Sequence, residues 1–89
     1  MARVAFTANI QRHVACRETD AAGGSVREVL DNLFAALPRA RGYVLDDQAA
    51  LRKHMTIFID GEMIHDRVRL SDPVGETSHV YIFQALSGG

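Results

Sequence analysis

Ser25-Val26-Arg27-Glu28-Val29-Leu30-Asp31-Asn32-Leu33-Phe34-Ala35-Ala36-Leu37 is the stretch around which the rest of the chain has to be arranged. Val26, Val29, Leu30, Leu33, Phe34 and Leu37 stand at offsets 0, 3, 4, 7, 8 and 11, so at helical pitch they form one apolar stripe. Arg27, Glu28, Asp31 and Asn32 take the opposite side. Ser25 with Glu28 three residues later makes a capping box, which satisfies orphan amides at a helix start. Gly23-Gly24 breaks the chain just before it, and Pro38 stops the helix because proline disfavours helical geometry in the residue preceding it. A helix with one such stripe must bury it against an apolar layer.

That layer reads as a sheet. In residues 3–10, Val4, Phe6, Ala8 and Ile10 alternate with other residues, the period of a half-buried strand. Residues 13–22 carry a weaker pattern, consistent with a second strand returning as a hairpin. Met55, Ile57 and Ile59 alternate with Thr56 and Phe58, and Asp60-Gly61 is a two-residue hairpin signal leading to a short return strand at Met63 and Ile64. His79-Val80-Tyr81-Ile82-Phe83 is a further strand rich in β-branched and aromatic residues. Between them, residues 39–51 read as a short turn of helix and a loop. In residues 67–78, Val68, Leu70 and Val74 read as core anchors around an Asp72-Pro73 turn. The expected class is α+β, a small mixed sheet packed on one main helix. Its expected core is Val26, Leu30, Leu33, Phe34, Ile57, Ile59, Val80 and Ile82. Alternation then turns Tyr81 and Phe83 to the other face of the sheet, with Phe58 beside them, an aromatic patch suited to docking a partner.

The composition removes several function classes. Eighty-nine residues and 9.8 kDa allow one domain, expected over residues 1–84 with a flexible tail at 85–89. A net charge of −1 lacks the basic footprint of a nucleic-acid binder. No apolar run reaches the ~18 residues of a membrane helix, and the first ten residues lack the apolar block of a signal peptide, so a cytoplasmic protein is expected. Cys16 is alone and has no internal disulfide partner. His13, His54, His65 and His79 have no metal-ligand spacing and read as surface residues, so no metal is expected. Gly23-Gly24-Ser25 lacks the lysine of a phosphate-binding loop. No nucleophile, base and orienter stand together, and the chain does not read as an enzyme.

The remaining feature is the ending Gln84-Ala85-Leu86-Ser87-Gly88-Gly89. Two terminal glycines arise by chance in about one chain in 200 at the usual ~7% glycine usage. Without side chains, Gly88 and Gly89 can thread a channel closed to any other residue and bring an α-carboxylate against a nucleotide phosphate. A carboxylate becomes a useful electrophile once it is an acyl-adenylate, which can then accept sulfur as a thiocarboxylate or an amine as an isopeptide.

With this tail and this order of elements, the sequence resembles the ubiquitin-like sulfur carriers of the ThiS/MoaD family, small β-grasp proteins ending in Gly-Gly. The resemblance runs from the strand at Val4, through the Ser25 helix and the Phe58-Ile59-Asp60-Gly61 turn, to the terminus. The ending at Ile82-Phe83-Gln84 looks like the thiamine branch, whereas the long middle segment, residues 38–53, looks like the molybdopterin and cysteine-synthesis branches. Gly75-Glu76-Thr77-Ser78 replaces the acidic glycine turn that usually precedes the last strand, and Gln84 stands where the molybdopterin branch often has proline.

The resemblance implies that an adenylating enzyme of the ubiquitin-activating type uses ATP and magnesium to activate Gly89. A sulfur donor then makes the thiocarboxylate, and a downstream enzyme accepts the sulfur. Gly88 and Ser87 would thread the partner's channel, while Phe58, Tyr81, Phe83, Gln84 and Leu86 would bind its surface. The carrier itself would bind no cofactor. Two other readings are a modifier conjugated through Gly89 and a non-catalytic subunit that inserts its tail into an enzyme.

Overall fold

The computed structural model describes residues 1–6 and 18–84. The elements in chain order are β1 (Ala2–Phe6), β2 (Glu18–Ala21), α1 (Val26–Ala36), α2 (Pro38–Val44), β3 (Met55–Ile59), β4 (Glu62–Met63) and β5 (His79–Gln84). The strands form one sheet in the order β2-β1-β5-β3-β4. β1 and β5 pair in parallel at the centre, and the other neighbours are antiparallel, so the sheet is mixed.

The stripe on α1 is buried as its spacing requires. Val26, Val29, Leu30, Leu33 and Phe34 join Val4 and Phe6 of β1, Met55 and Ile57 of β3, and Val80 and Ile82 of β5 in one core. Seven of the eight expected core residues are buried, and Ile59 is half-buried at the edge of the cluster. Ala8 and Ile10 of the expected first strand, and Val14 and Cys16 of the second, lie outside the described residues.

The capping box differs in one arm. Ser25 Oγ accepts the Glu28 N–H at 3.3 Å, but the Glu28 carboxylate accepts from Gly24 N–H at 2.8 Å, one residue ahead of the cap. Gly23 is required by the close approach at this corner, since a Cβ there would lie 2.6 Å from the Val29 nitrogen, and its φ is +148°. Pro38 ends one helix and opens the next. Its missing N–H costs nothing at a first helical position, so α2 runs for seven residues where a single turn was expected.

The hairpin follows its signal, with Asp60 at φ 51° and Gly61 at φ 88° joining Ile59 to its partner Glu62. The return strand is Glu62–Met63 instead of Met63 and Ile64: Ile64 still donates to the Ile57 carbonyl, but its side chain turns into the core.

Residues 45–54 and 64–78 have little regular structure, and side chains join scattered backbone bonds in satisfying their polar groups. Arg67 donates to the carbonyls of Arg52 at 2.8 Å and Met55 at 2.7 Å. Arg27 reaches from α1 to the carbonyls of Ala49, Val68 and Arg69, and Arg52 Nε donates to the Gly42 carbonyl. Asp66 accepts the N–H groups of Val68, Arg69 and Ser71, and Asp72 those of His65 and Asp66. This turn corrects one expectation. Leu70 and Val74 are buried, but Val68 sits on the outside of the loop drawn around the Asp66 carboxylate and is 67% exposed.

Candidate functional site

Register places a row of residues across the outer face of the sheet, opposite α1. Met63 pairs with Phe58, Phe58 with Tyr81, Tyr81 with Ala5, and Ala5 with Glu18, so one row crosses all five strands. Phe83, two residues along β5 from Tyr81, pairs with Thr56. The three rings expected on this face are in contact. Phe58 stacks on Phe83 with centroids 5.1 Å apart, and Tyr81 is tilted against Phe83 at 5.5 Å. By covering one another Phe58 and Phe83 are half-buried, while Tyr81 remains 44% exposed.

Met63, 55% exposed, extends the patch and was missed by sequence reasoning. Its face follows only from the hairpin register, which pairs it with Phe58 once Asp60-Gly61 is known to be a two-residue turn. Thr56 also belongs to this face, and its hydroxyl is buried without a hydrogen-bond partner. On the far side of Tyr81, the next row is polar: Arg3 pairs with His79 and Asp20, and its guanidinium contacts Asp20 at 3.0 Å and Glu18 at 3.2 Å.

β5 ends at Gln84, half-buried and paired with Met55. Leu86, Ser87, Gly88 and Gly89 lie outside the described residues. The start of β5 is tied to the hairpin, since the His79 N–H donates to the Asp60 carboxylate at 2.9 Å. That bond and one from Ser78 hold the Asp60 carboxyl below its ordinary range. His54, His65 and His79 are exposed, and His13 falls outside the described residues. Among the described residues no three His, Cys, Asp or Glu side chains gather as a metal site, and no helix is long and apolar enough to cross a membrane.

The outer face of the described sheet thus carries three contacting aromatic rings beside β5, the strand that leads toward the terminus. Comparison with known proteins identifies the arrangement: the model of the ThiS family matches residues 4–89. The chain belongs to the ThiS family. Membership makes it a ubiquitin-like sulfur carrier or modifier, and the mixed sheet on one main helix is the family's β-grasp.

Among solved structures, CysO of Amycolatopsis orientalis, in complex with BexX, is 16% identical over 100% of both chains, with a TM-score of 0.85. CysO of Mycobacterium tuberculosis is 17% identical over 97% of this chain and 100% of its own, with a TM-score of 0.83. SAMP1 of Haloferax volcanii is 23% identical over 99% of this chain and 98% of its own, with a TM-score of 0.80. At these identities the likeness is one of fold. No curated protein matches the sequence.

Proposed function

We propose that this ThiS-family chain is a sulfur carrier whose Gly89 carboxylate is adenylated by a partner enzyme and converted to a thiocarboxylate. The observation that carries the reading is that the family match runs through residue 89 and so includes Gly88-Gly89. The partner supplies ATP and magnesium, and the Gly89 carboxylate attacks the α-phosphate with loss of pyrophosphate. A sulfur donor then displaces AMP from the acyl carbon. The chain supplies no catalytic side chain. It supplies a threadable terminus and a face, Phe58, Tyr81 and Phe83 with Met63, that docks on the activating enzyme while Gln84, Leu86 and Ser87 follow the tail into its channel. BexX, which accompanies one CysO in a solved complex, supports a partner of this general kind. The same activated carboxylate serves conjugation to an amine, the reading favoured by the neighbour named a small archaeal modifier protein.

Pyrophosphate exchange with an activating enzyme from the same cells tests both parts. Deletion of Gly89, or Gly88→Val, abolishes exchange with an unchanged melting temperature, since no apolar side chain follows Leu86. Phe83→Asp leaves the fold intact and raises the KM for the carrier. Equal exchange with and without Gly89 would overturn the carrier reading, and an unaltered KM in Phe83→Asp would remove the docking face.

A further inference from the structure

The three methionines meet solvent differently. Met55 is sealed in the core, Met1 is exposed ahead of β1, and Met63 is exposed on β4, an edge strand of the sheet. Of these, Met63 belongs to the aromatic face. Ile59 faces Glu62 across the two-residue turn, and the Ile64 N–H bonds the Ile57 carbonyl at 3.0 Å, so the pair between them, Phe58 and Met63, is a non-hydrogen-bonded one. Side chains stand closest in such pairs, whose Cα atoms are ~4.5 Å apart. Met63 is thereby held beside Phe58, which is stacked on Phe83, and Phe83 in turn touches Tyr81.

The edge position decides how the sulfur can react. β4 has only β3 beside it, so a small oxidant reaches the Met63 thioether while the fold stays closed. The Met55 thioether, in the core, is reached only when the fold opens. Oxidation turns a flexible apolar side chain into a polar one, and a sulfoxide oxygen carried into an apolar interface loses its water without gaining a partner.

Resting on the proposed docking face, we infer that Met63 is an oxidation site that switches this face off: a hydroperoxide converts it to the sulfoxide, and the oxidised chain no longer docks on its activating enzyme. In the step itself a sulfur lone pair takes one oxygen from hydrogen peroxide. The oxygen–oxygen bond breaks, water leaves, the sulfur is oxidised by two electrons and the peroxide is reduced. Two thiols, acting through methionine sulfoxide reductases, return the thioether with release of a disulfide and water. Docking is therefore withheld while oxidant persists and regained when thiols prevail.

The test treats the full chain alone with hydrogen peroxide, removes the oxidant and maps the product by peptide mass spectrometry. Met63 should gain one oxygen while Met55 remains a thioether. In pyrophosphate exchange the KM for the treated chain should rise about fivefold or more, the loss of one contributing interface contact, with kcat kept. Methionine sulfoxide reductases with a thiol should reverse the rise. Met63→Leu, compared with itself before and after peroxide, should show no change in KM. That variant retains Met1 and Cys16, so it separates Met63 from both. Oxidation of Met55 ahead of Met63, a Met63 sulfoxide with unaltered KM, a rise that the reductases leave in place, or an equal rise in Met63→Leu would overturn the inference. Phe83→Asp and the Gly89 deletion judge the docking face and the carrier reading on unoxidised protein, so failure of either reading is told apart from failure of the switch.

Discussion

The body of the molecule, α1 against β1, β3 and β5, and the segments at residues 45–54 and 64–78 solve the same problem by different means. In the body, backbone polar groups are satisfied by helix and sheet, so the side chains are free to contribute buried apolar area. In the irregular segments backbone pairing is reduced to isolated bridges and turn bonds, and Arg27, Arg52, Arg67, Asp46, Asp66 and Asp72 supplement it. The body is consequently sensitive to volume. The segments are sensitive to single donor and acceptor atoms, and leucine or valine there is placed by hydrogen bonds made elsewhere, as Leu70 and Val68 are on opposite sides of the Asp66 turn.

The largest effect is expected in the body. Leu33 is buried in the stripe of α1, and Leu33→Ala should cost about 2 to 5 kcal/mol, removing transfer free energy and leaving a cavity. Urea denaturation followed by circular dichroism would show the midpoint fall with an unchanged slope. A loss no greater than that of a surface substitution would mean the helix is not packed as described.

An intermediate effect is expected where Arg67 holds the carbonyls of Arg52 and Met55. Arg67→Met keeps much of the side-chain volume and removes the donors, at a cost of about 1 to 3 kcal/mol. Arg67→Lys should recover only part of this, because a lysine ammonium lacks the planar fork that reaches several carbonyls at once. Full recovery by lysine would mean that charge alone, without donor geometry, holds the segment.

The same contrast sets what is legible from sequence. The α1 stripe, the alternation in β3 and β5 and the Asp60-Gly61 hairpin are local periodic signals, so the main helix and the aromatic face follow from spacing alone. Val68 does not, because its exposure depends on a carboxylate two residues away whose hydrogen bonds no periodicity announces. Pro38 is ambiguous locally, as it both stops and starts helices, and only packing of Ala40 and Val44 into the core decides that a second helix forms. Met63 requires the register as well as the pattern. Of the candidate site, the grouping of Phe58, Tyr81 and Phe83 on one face was readable from alternation, while the tail is legible only as residue types that the family match spans.

The smallest effect distinguishes the segments by pH. Hydrogen bonds from the Ser71 hydroxyl and from the N–H groups of Arg69, Ser71 and Val68 hold the Asp66 carboxyl at about 2, down from 3.8. A carboxyl whose folded pKa lies below its unfolded value stabilises the fold above the unfolded pKa, and that contribution is lost as pH falls from about 4 toward 2. Asp60 and Asp72 are shifted the same way by the N–H groups of His79 and His65, so they act in the same direction. Asp66→Asn removes the charge and keeps an acceptor. The wild type should therefore melt above the variant at neutral pH, with the gap closing through that acid window, whereas Leu33→Ala should stay below wild type by a nearly constant margin. A gap for Asp66→Asn that does not change with pH would show that the loop is held by shape and not by the ionised carboxylate.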